Sequence, residues 1–229
     1  NDQKFSENGA EFFSDKEKII KDCDILLQLD LPDEKDLKNL SANKNLIGVF
    51  DPNKNKNRIL ELSKNNINVF SLELLPRITR AQSMDILSSQ ANLAGYKAVV
   101  DAFSFFNKAI PMMMTAAGTI PAAKVLIVGA GVAGLQAIAT AKRMGAIVFA
   151  TDVRMASKEQ VESLGGKFLV VEGAENLETS GGYAKEASDE FKKKQEGLLK
   201  DTLKKIDIVV CTALIPGKKA PIIIKGDMI

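Results

Sequence analysis

The chain has 229 residues, 45% of them hydrophobic and 26% charged, which is typical of a globular protein with one large or two small domains. Its net charge of +2 gives no reason to expect nucleic acid or an anionic membrane as a partner. Histidine is absent and the two cysteines lie far apart, so we predict neither a metal site nor a disulfide framework.

The first third of the chain contains strand-like segments separated by helical or polar ones. The segments "CDILLQLD" (23–30), "LIGVF" (46–50) and "INVFSLE" (67–73) are rich in aliphatic and β-branched residues, which predicts strands. Between the last two, "NKNRILELSKNN" (55–66) has the apolar spacing of a helix.

A long helical segment is predicted next, over residues 84–117, with Pro111 as a kink or break. The apolar region 109–141 is long enough to cross a bilayer, but prolines, glycines and Lys124 interrupt it. A helix, a buried strand and a second helix explain this region better than a membrane span does.

Four short apolar runs follow in the second half of the chain. Their continuous hydrophobicity predicts strands buried on both faces, and hence a parallel sheet. The helical segments between most of them predict a doubly wound α/β fold. The runs are "KVLIVGA", "AIVFATD", "KFLVVE" and "IDIVVCTA".

A faint internal echo links the two halves. "CDILLQLDLP" (23–32) and "IDIVVCTALIP" (206–216) share an Asp-Ile pair, two aliphatic residues and a Leu near a closing Pro. Two similar α/β lobes would explain the echo, and so would convergent strand-and-turn chemistry.

The strongest general motif lies in residues 124–152. Gly129, Gly131 and Gly134 follow a predicted strand and open a helix, which is the arrangement that binds a dinucleotide pyrophosphate. The first glycine permits the tight turn, the second lets the backbone approach the phosphates, and the third allows close helix–strand packing. The helix N-terminus adds free amides and the positive end of its dipole. A glycine-rich turn without a ligand is the alternative.

Asp152 closes the next predicted strand, 18 residues after Gly134, where a carboxylate can bond a ribose diol. This acid favours NAD over NADP because it would repel a 2′-phosphate. It could instead cap a helix. Arg154 leaves the choice of cofactor less clear, since it could pair with a 2′-phosphate, pair with Asp152, or remain solvated. NAD is the better prediction.

A further loop, "ETSGGYAKEASDEF" (178–191), follows the third strand of this unit. Gly181 and Gly182 predict a flexible hinge, and Tyr183 supplies an amphipathic tip. Loops of this kind often close over a bound cofactor, whereas a surface loop without such a task is the alternative.

The stretch "PRITRAQSMDILSSQ" (76–90) matches no general motif of catalysis or metal binding. It nevertheless brings Arg77, Gln82, Asp85 and Ser88 close together between a predicted strand and a predicted helix. An Arg–Asp network on the surface is one explanation, and a clamp for a ligand is the other.

Four segments together identify a family. "PRITRAQSMDILSSQANLAGY", "GAGVAGLQAI", "GGYAKE" and "TALIPGKKAP" resemble the NAD(H)-binding component, domain I, of proton-translocating nicotinamide nucleotide transhydrogenase. The resemblance covers nearly the whole chain and is weakest in the Lys/Asn-rich first 70 residues. Its specific segment is "RITRAQSMD", because many other proteins carry the glycine motif.

The resemblance implies two Rossmann-like lobes with doubly wound parallel sheets, and NAD(H) held mainly by the second. It divides the chain into a partial first lobe (1–75), a nicotinamide-site loop with a long linking helix (76–120) and an NAD-binding lobe (121–229). Because the chain does not begin with Met and ends on the apolar "PIIIKGDMI", we expect a piece of a longer protein, truncated at both ends.

The same resemblance implies roles for individual residues. Arg77 and Asp85 would fix the nicotinamide end of NAD(H) with support from Ser88, and Gln82 would reach toward the NADP(H) of a partner. These four are the expected catalytic residues, because direct hydride transfer depends on the alignment of two rings. The full set of implied cofactor contacts is Arg77, Gln82, Ser83, Met84, Asp85, Ser88, Gly129, Gly131, Val132, Gly134, Asp152, Val153, Arg154, Gly182, Tyr183, Gln195 and Leu214.

The family also implies partners. We expect a homodimer of this domain, an NADP(H)-binding domain and a membrane domain that conducts protons while hydride passes between the nicotinamides. The chain would be a soluble domain on the cytoplasmic side of a bacterial plasma membrane, or on the matrix side of the mitochondrial inner membrane, or at another organelle.

Two other functions are compatible with the glycine motif. Alanine dehydrogenase shares the fold but needs an acid–base group. In that family a His follows the strand that resembles "LIGVF", where this chain has Asp51. Direct hydride exchange needs no proton donor, so a chain without histidine suits transhydrogenation. A non-catalytic NAD-binding module is the third candidate, since this chain lacks a second nucleotide site.

Overall fold

A computed structural model of the chain divides into two compact units, Asn1–Ile86 and Leu87–Ile229. Each unit is built on parallel strands with helices between them, which confirms the predicted α/β class. The division into three segments at residues 75 and 120 stays a prediction. The structure describes residues 2–76, 78–171, 187–215 and 219–229.

The first unit contains a three-stranded parallel sheet in the order β1-β2-β3. Strands β1 and β3 lie within the segments predicted as strands, and helix α4 lies within the segment predicted as helical. Strand β2 overlaps "LIGVF" (46–50) but begins one residue before it, at Asn45. Two 3-10 helices, Leu72–Leu74 and Thr79–Met84, follow the sheet. The elements are α1 (Asp2–Glu7), α2 (Lys16–Asp22), β1 (Ile25–Gln28), α3 (Glu34–Leu37), β2 (Asn45–Gly48), α4 (Lys56–Lys64) and β3 (Asn68–Ser71).

The core of the first unit lies on one side of this sheet. Leu26 and Leu46 pair in register across β1 and β2 and pack with Leu62 of α4 in a single buried cluster. The other face of β1 is open, because Ile25 and Leu27 are 55% and 72% exposed.

The second unit contains a four-stranded parallel sheet in the order β8-β7-β6-β9. Strand β6 (Lys124–Val128) is buried on both faces: Val125 and Ile127 belong to one core cluster, and Leu126 and Val128 belong to another. This two-sided burial is what the continuous apolar run predicted for β6. In β9 buried and exposed residues alternate, so the prediction of burial on both faces is wrong for that strand. The elements are α5 (Ile86–Phe105), β4 (Met113–Thr115), β5 (Gly118–Ile120), β6 (Lys124–Val128), α6 (Val132–Arg143), β7 (Ile147–Thr151), α7 (Ser157–Ser163), β8 (Lys167–Phe168), α8 (Asp189–Leu203), β9 (Ile208–Cys211) and a 3-10 helix (Gly226–Met228).

The prediction of one long helix over residues 84–117 is wrong toward its C-terminal end. Helix α5 ends at Phe105, before Pro111 is reached, and β4 and β5 form an antiparallel hairpin. Gly118 has φ = +128°, a conformation that other residues rarely adopt, and it closes the turn. Thr115 Oγ1 donates a hydrogen bond to the Gly118 carbonyl at 2.9 Å. The turn chemistry therefore outweighs the helical composition of this segment.

The apolar region 109–141 consequently contains a hairpin, a buried strand and a helix, so the strand and second helix were predicted correctly and the first helix was not. Among the residues that the structure describes, no helix is both long enough and apolar enough to cross a membrane.

Candidate functional site

The glycine motif forms a sharp turn between β6 and α6. Gly129 has φ = +96°, and a Cβ there would lie 2.9 Å from the backbone nitrogen of Ala213. Its N–H donates to the Thr151 carbonyl at 2.8 Å, which ties the turn to the end of β7. Glycine is required here both for the backbone conformation and for the space.

The other two glycines of the motif occupy different environments. A Cβ on Gly134 would lie 1.8 Å from the Gly129 carbonyl oxygen, so the helix can approach the turn only without a side chain. A Cβ on Gly131 would meet nothing within 4 Å. Gly131 is the N-cap of α6, where the first amides of a helix have no intrahelical acceptor. The space beside it therefore suits the approach of an anionic group.

Thr212, to which the sequence analysis assigned no role, supports the turn from the end of β9. Its Oγ1 donates to the Gly129 carbonyl at 2.8 Å, with a longer contact of 3.3 Å to the Val128 carbonyl. The adjacency of β6 and β9 is the signal that would have identified it, because parallel neighbours bring their carboxyl ends together.

Helix α5 also contacts this region. A Cβ on Gly95 would lie 2.0 Å from the carbonyl oxygen of Ala133, in the first turn of α6. Gly95 is another residue that sequence reasoning missed, since a lone glycine inside a helix carries no mark of its packing partner.

The Asp152 carboxylate lies against the glycine turn. Its Oδ2 accepts from the backbone N–H of Ala130 at 2.7 Å and from Arg154 Nη2 at 2.9 Å. Its Oδ1 accepts from the backbone N–H and Nε of Arg154, at 2.8 and 2.9 Å. Of the three possibilities considered for Arg154, the structure shows the pairing with Asp152.

This pair is largely shielded from water, with exposed side-chain fractions of 6% for Asp152 and 16% for Arg154. Burial raises the pKa of the Asp152 carboxyl, but the Arg154 guanidinium and the two backbone amides lower it by more. The pKa consequently lies below its ordinary value, and the group is an anion at neutral pH.

Four other expected contacts of the second unit lie at varied depths. Val132 begins α6 and Val153 follows Asp152, and both are half-buried. Gln195 is buried on α8, on the face that includes Leu199. Leu214 follows β9 and is 67% exposed. Their roles toward a cofactor stay predictions.

The 76–90 stretch contains the 3-10 helix Thr79–Met84 and the first turn of α5, and its described side chains range from exposed to buried. Gln82, Ser83 and Met84 are exposed at the end of the 3-10 helix Thr79–Met84. Asp85 is half-buried and its N–H donates to the Gln82 carbonyl at 3.2 Å. Ser88 is half-buried in the first turn of α5. Arg77, Gly182 and Tyr183 lie outside the residues that the structure describes.

Asp51, the position compared with a catalytic histidine, is engaged by a neighbour. Its carboxylate lies 2.6 Å from Lys54 Nζ, and that hydrogen bond holds the pKa of Asp51 below its ordinary value. A carboxylate that stays ionised at neutral pH is a poor proton donor.

Two family models match the chain. The model described as alanine dehydrogenase/PNT, N-terminal domain, matches residues 1–94, and the model described as alanine dehydrogenase/PNT, C-terminal domain, matches residues 98–229. The chain belongs to this family.

Within the alanine dehydrogenase/PNT family, the chain is similar to transhydrogenase subunits. A relative from Rickettsia prowazekii, named as the first part of NAD(P) transhydrogenase subunit alpha, is 48% identical over 232 residues, which cover 100% of this chain and 61% of the relative. The protein of the same name from Rhodospirillum rubrum is 64% identical over 171 residues, which cover 73% of this chain and 44% of the relative. The chain thus spans about half the length of these relatives.

Solved structures agree with this placement. The crystal structure of transhydrogenase from Sinorhizobium meliloti has a TM-score of 0.84 and 46% identity, covering 99% of this chain and 61% of that one. An L-alanine dehydrogenase has a TM-score of 0.71 at 18% identity, covering 99% of this chain and 57% of that one, which shows a shared fold alone. The predicted resemblance to the transhydrogenase family is confirmed.

Proposed function

We propose that this chain is the NAD(H)-binding component of a proton-translocating transhydrogenase, which exchanges hydride directly between NADH and NADP⁺. The single observation that carries the proposal is the hydrogen bond from the Ala130 N–H in the glycine turn to the Asp152 carboxylate, in a chain of the alanine dehydrogenase/PNT family. The open space beside Gly131 fits a pyrophosphate, and Asp152 fits an adenosine ribose.

The residues of the second unit would hold the adenosine and pyrophosphate end of the cofactor. The amides at the start of α6 would face the pyrophosphate, Val132 would pack on the cofactor, and Val153 and Arg154 would flank the ribose. Gln195, Leu214 and the loop with Gly182 and Tyr183 would complete the site.

The 76–90 stretch would act at the other end of the cofactor. Bound NADH supplies the hydride, and its transfer requires two nicotinamide rings to be close and aligned. Asp85 can accept from a carboxamide NH₂, and Arg77 can donate to its oxygen, with Ser88 in support. Gln82, which is exposed, would reach toward the NADP(H) of the partner domain. Ser83 and Met84 would contact the cofactor at the same nicotinamide end.

This function requires partners. The relatives are named as the first part of subunit alpha, which supports the existence of further components of the same enzyme. We expect an NADP(H)-binding domain, a proton-conducting membrane domain and a second copy of this domain. The chain would then work on the cytoplasmic or matrix face of the membrane.

Calorimetric titration of the purified protein with NADH and NADPH tests the choice of cofactor. A 2′-phosphate would remove a ribose hydroxyl donor from Asp152 and place negative charge beside it. We therefore expect NADH to bind roughly tenfold tighter or more, from the value of a hydrogen bond to a charged group. Equal or tighter binding of NADPH would contradict the proposal.

A second measurement separates the candidate activities. The protein is mixed with the NADP(H)-binding domain of a transhydrogenase, and hydride transfer from NADPH to an NAD⁺ analogue is followed by absorbance. We expect transfer that requires both proteins. Oxidation of alanine by the protein alone would support an alanine dehydrogenase, and NADH binding without transfer would support a binding module.

A further inference from the structure

The Asp152 carboxylate already has four hydrogen-bond donors, two on each oxygen. Ala130 N–H and Arg154 Nη2 donate to Oδ2, and Arg154 N–H and Nε donate to Oδ1, all at 2.7 to 2.9 Å. An ionised carboxylate offers about four lone-pair sites. A ribose diol brings two further donors, so it cannot bond fully to Asp152 until existing donors leave.

The four donors differ in how easily they can leave. The Ala130 amide is part of the glycine turn, which Thr151 and Thr212 hold through Gly129. The Arg154 amide is only two residues from the carboxylate along the chain. The guanidinium, in contrast, lies at the end of a side chain with several rotatable bonds. Its two hydrogen bonds to Asp152 are therefore the ones that a ribose can replace.

We propose that the Arg154 guanidinium competes with the cofactor ribose for Asp152 and thereby sets how strongly the site depends on the ribose hydroxyls. This inference rests on the proposed function, in which Asp152 receives the adenosine ribose. The closed pair keeps the carboxylate satisfied while no ribose is present. Binding then opens two charge-assisted hydrogen bonds, and that cost lowers the measured affinity. Arg154 is on this account a specificity-determining residue rather than a phosphate ligand.

The burial of the pair makes the competition strong enough to measure. With side chains only 6% and 16% exposed, the two groups are little screened by water. The pKa of Asp152 is held below its ordinary value by the Arg154 guanidinium together with the two amides, although burial opposes them. The two amides stay in place when the guanidinium leaves, so the carboxylate can still receive the ribose as an anion.

The test uses two probes, ADP and 2′,3′-dideoxy-ADP, which differ only in the ribose diol. Each is titrated calorimetrically at pH 8 into the unchanged protein and into Arg154→Met, whose side chain is long but has no donor. We expect Arg154→Met to bind ADP about tenfold tighter and the dideoxy probe with unchanged affinity, from the net value of hydrogen bonds to a charged group. Arg154→Lys, with one competing ammonium, should show a smaller gain of the same sign.

Two outcomes would overturn the inference: weaker ADP binding by Arg154→Met, or equal effects on the two probes. If thermal unfolding shows that Arg154→Met does not fold, Arg154→Lys alone decides the test. A ratio of ADP affinity to dideoxy-ADP affinity equal to that of the unchanged protein would then contradict the inference. Asp152→Asn serves as control, because it should reduce ADP binding more than dideoxy-ADP binding. If the unchanged protein binds neither NADH nor ADP, the proposed function has failed. If it binds both, but the ratio of ADP affinity to dideoxy-ADP affinity is the same in the Arg154 variants as in the unchanged protein, this inference alone has failed.

Discussion

Under the proposed function, the glycine turn and the 76–90 stretch would hold the two ends of one cofactor, but they are built in opposite ways. In the glycine turn, positions are set by the main chain and by contacts that leave no room for a side chain, as at Gly134. In the 76–90 stretch, Gln82, Ser83 and Met84 are exposed side chains on a short 3-10 helix. A substitution at a closely packed position such as Gly134 therefore acts on folding and binding together, whereas one in the 76–90 stretch can alter function while the fold remains unchanged.

The largest expected effect is on stability, for Gly134→Ala. The new Cβ would lie 1.8 Å from the Gly129 carbonyl oxygen, which is backbone and cannot rotate away. We expect a loss of about 3 kcal/mol in the free energy of unfolding, measured by denaturant titration, as for other overpacked cores. Gly197→Ala on α8 is the matched control, since a Cβ there meets nothing within 4 Å, and it should stabilise by roughly 0.5–1 kcal/mol. Equal effects of the two changes would remove the packing argument.

The second prediction concerns Gln82→Asn. Shortening an exposed side chain should leave stability within about 0.5 kcal/mol and NADH affinity nearly unchanged. The shorter side chain would, however, no longer align the nicotinamide ring of the partner's NADP(H). Single-turnover hydride transfer to the NADP(H)-binding domain should therefore slow by roughly a hundredfold. Gln90→Asn, the same change at another exposed position, should transfer normally. If Gln82→Asn is as fast as the unchanged protein, this residue has no role in the mechanism.

Asp85→Asn sharpens the same comparison, because it should weaken NADH binding as well as transfer. The amide keeps the size of the side chain but loses its charge and one acceptor. Calorimetry with NADH is the readout. A normal Asp85→Asn protein would contradict the assignment of the 76–90 stretch to the nicotinamide.

Gly131→Ala should separate folding from binding inside the glycine turn. Its Cβ would meet no protein atom within 4 Å, so the melting temperature should stay the same or rise slightly. The methyl group would nevertheless stand where the backbone must approach the phosphates, and NADH affinity should fall about tenfold. Unchanged affinity would mean that the pyrophosphate lies elsewhere.

The smallest effect is expected for Thr212→Val, which keeps the shape of the side chain but removes the donor to the Gly129 carbonyl. We expect a loss of about 1 kcal/mol in the free energy of unfolding. Thr212→Ser keeps the hydroxyl and should be closer to the unchanged protein. The free energy of unfolding should therefore decrease in the order Thr, Ser, Val at position 212.

The sequence predicted the glycine turn and the position of Asp152 at the end of the next strand, because their spacing follows from local backbone geometry. It missed Thr212 and Gly95, whose roles depend on which strand or helix lies beside them in the folded chain. It was also wrong about residues 106–117, where an apolar composition fits a helix and a hairpin equally well and the turn decides. The 76–90 stretch had no periodic signature at all, so its interpretation came from resemblance rather than from physical pattern.

The hairpin β4–β5 has a chemical consequence. Met112 directly precedes β4, and Met113 and Met114 lie within it; these three side chains are 63%, 45% and 85% exposed. All seven methionines lie in the part of the chain that the structure describes, and none of them is buried there. Mild peroxide should therefore convert thioethers to sulfoxides on the surface while both cores stay intact. Met84, 52% exposed beside Gln82, is the methionine at which such oxidation would reach the proposed site.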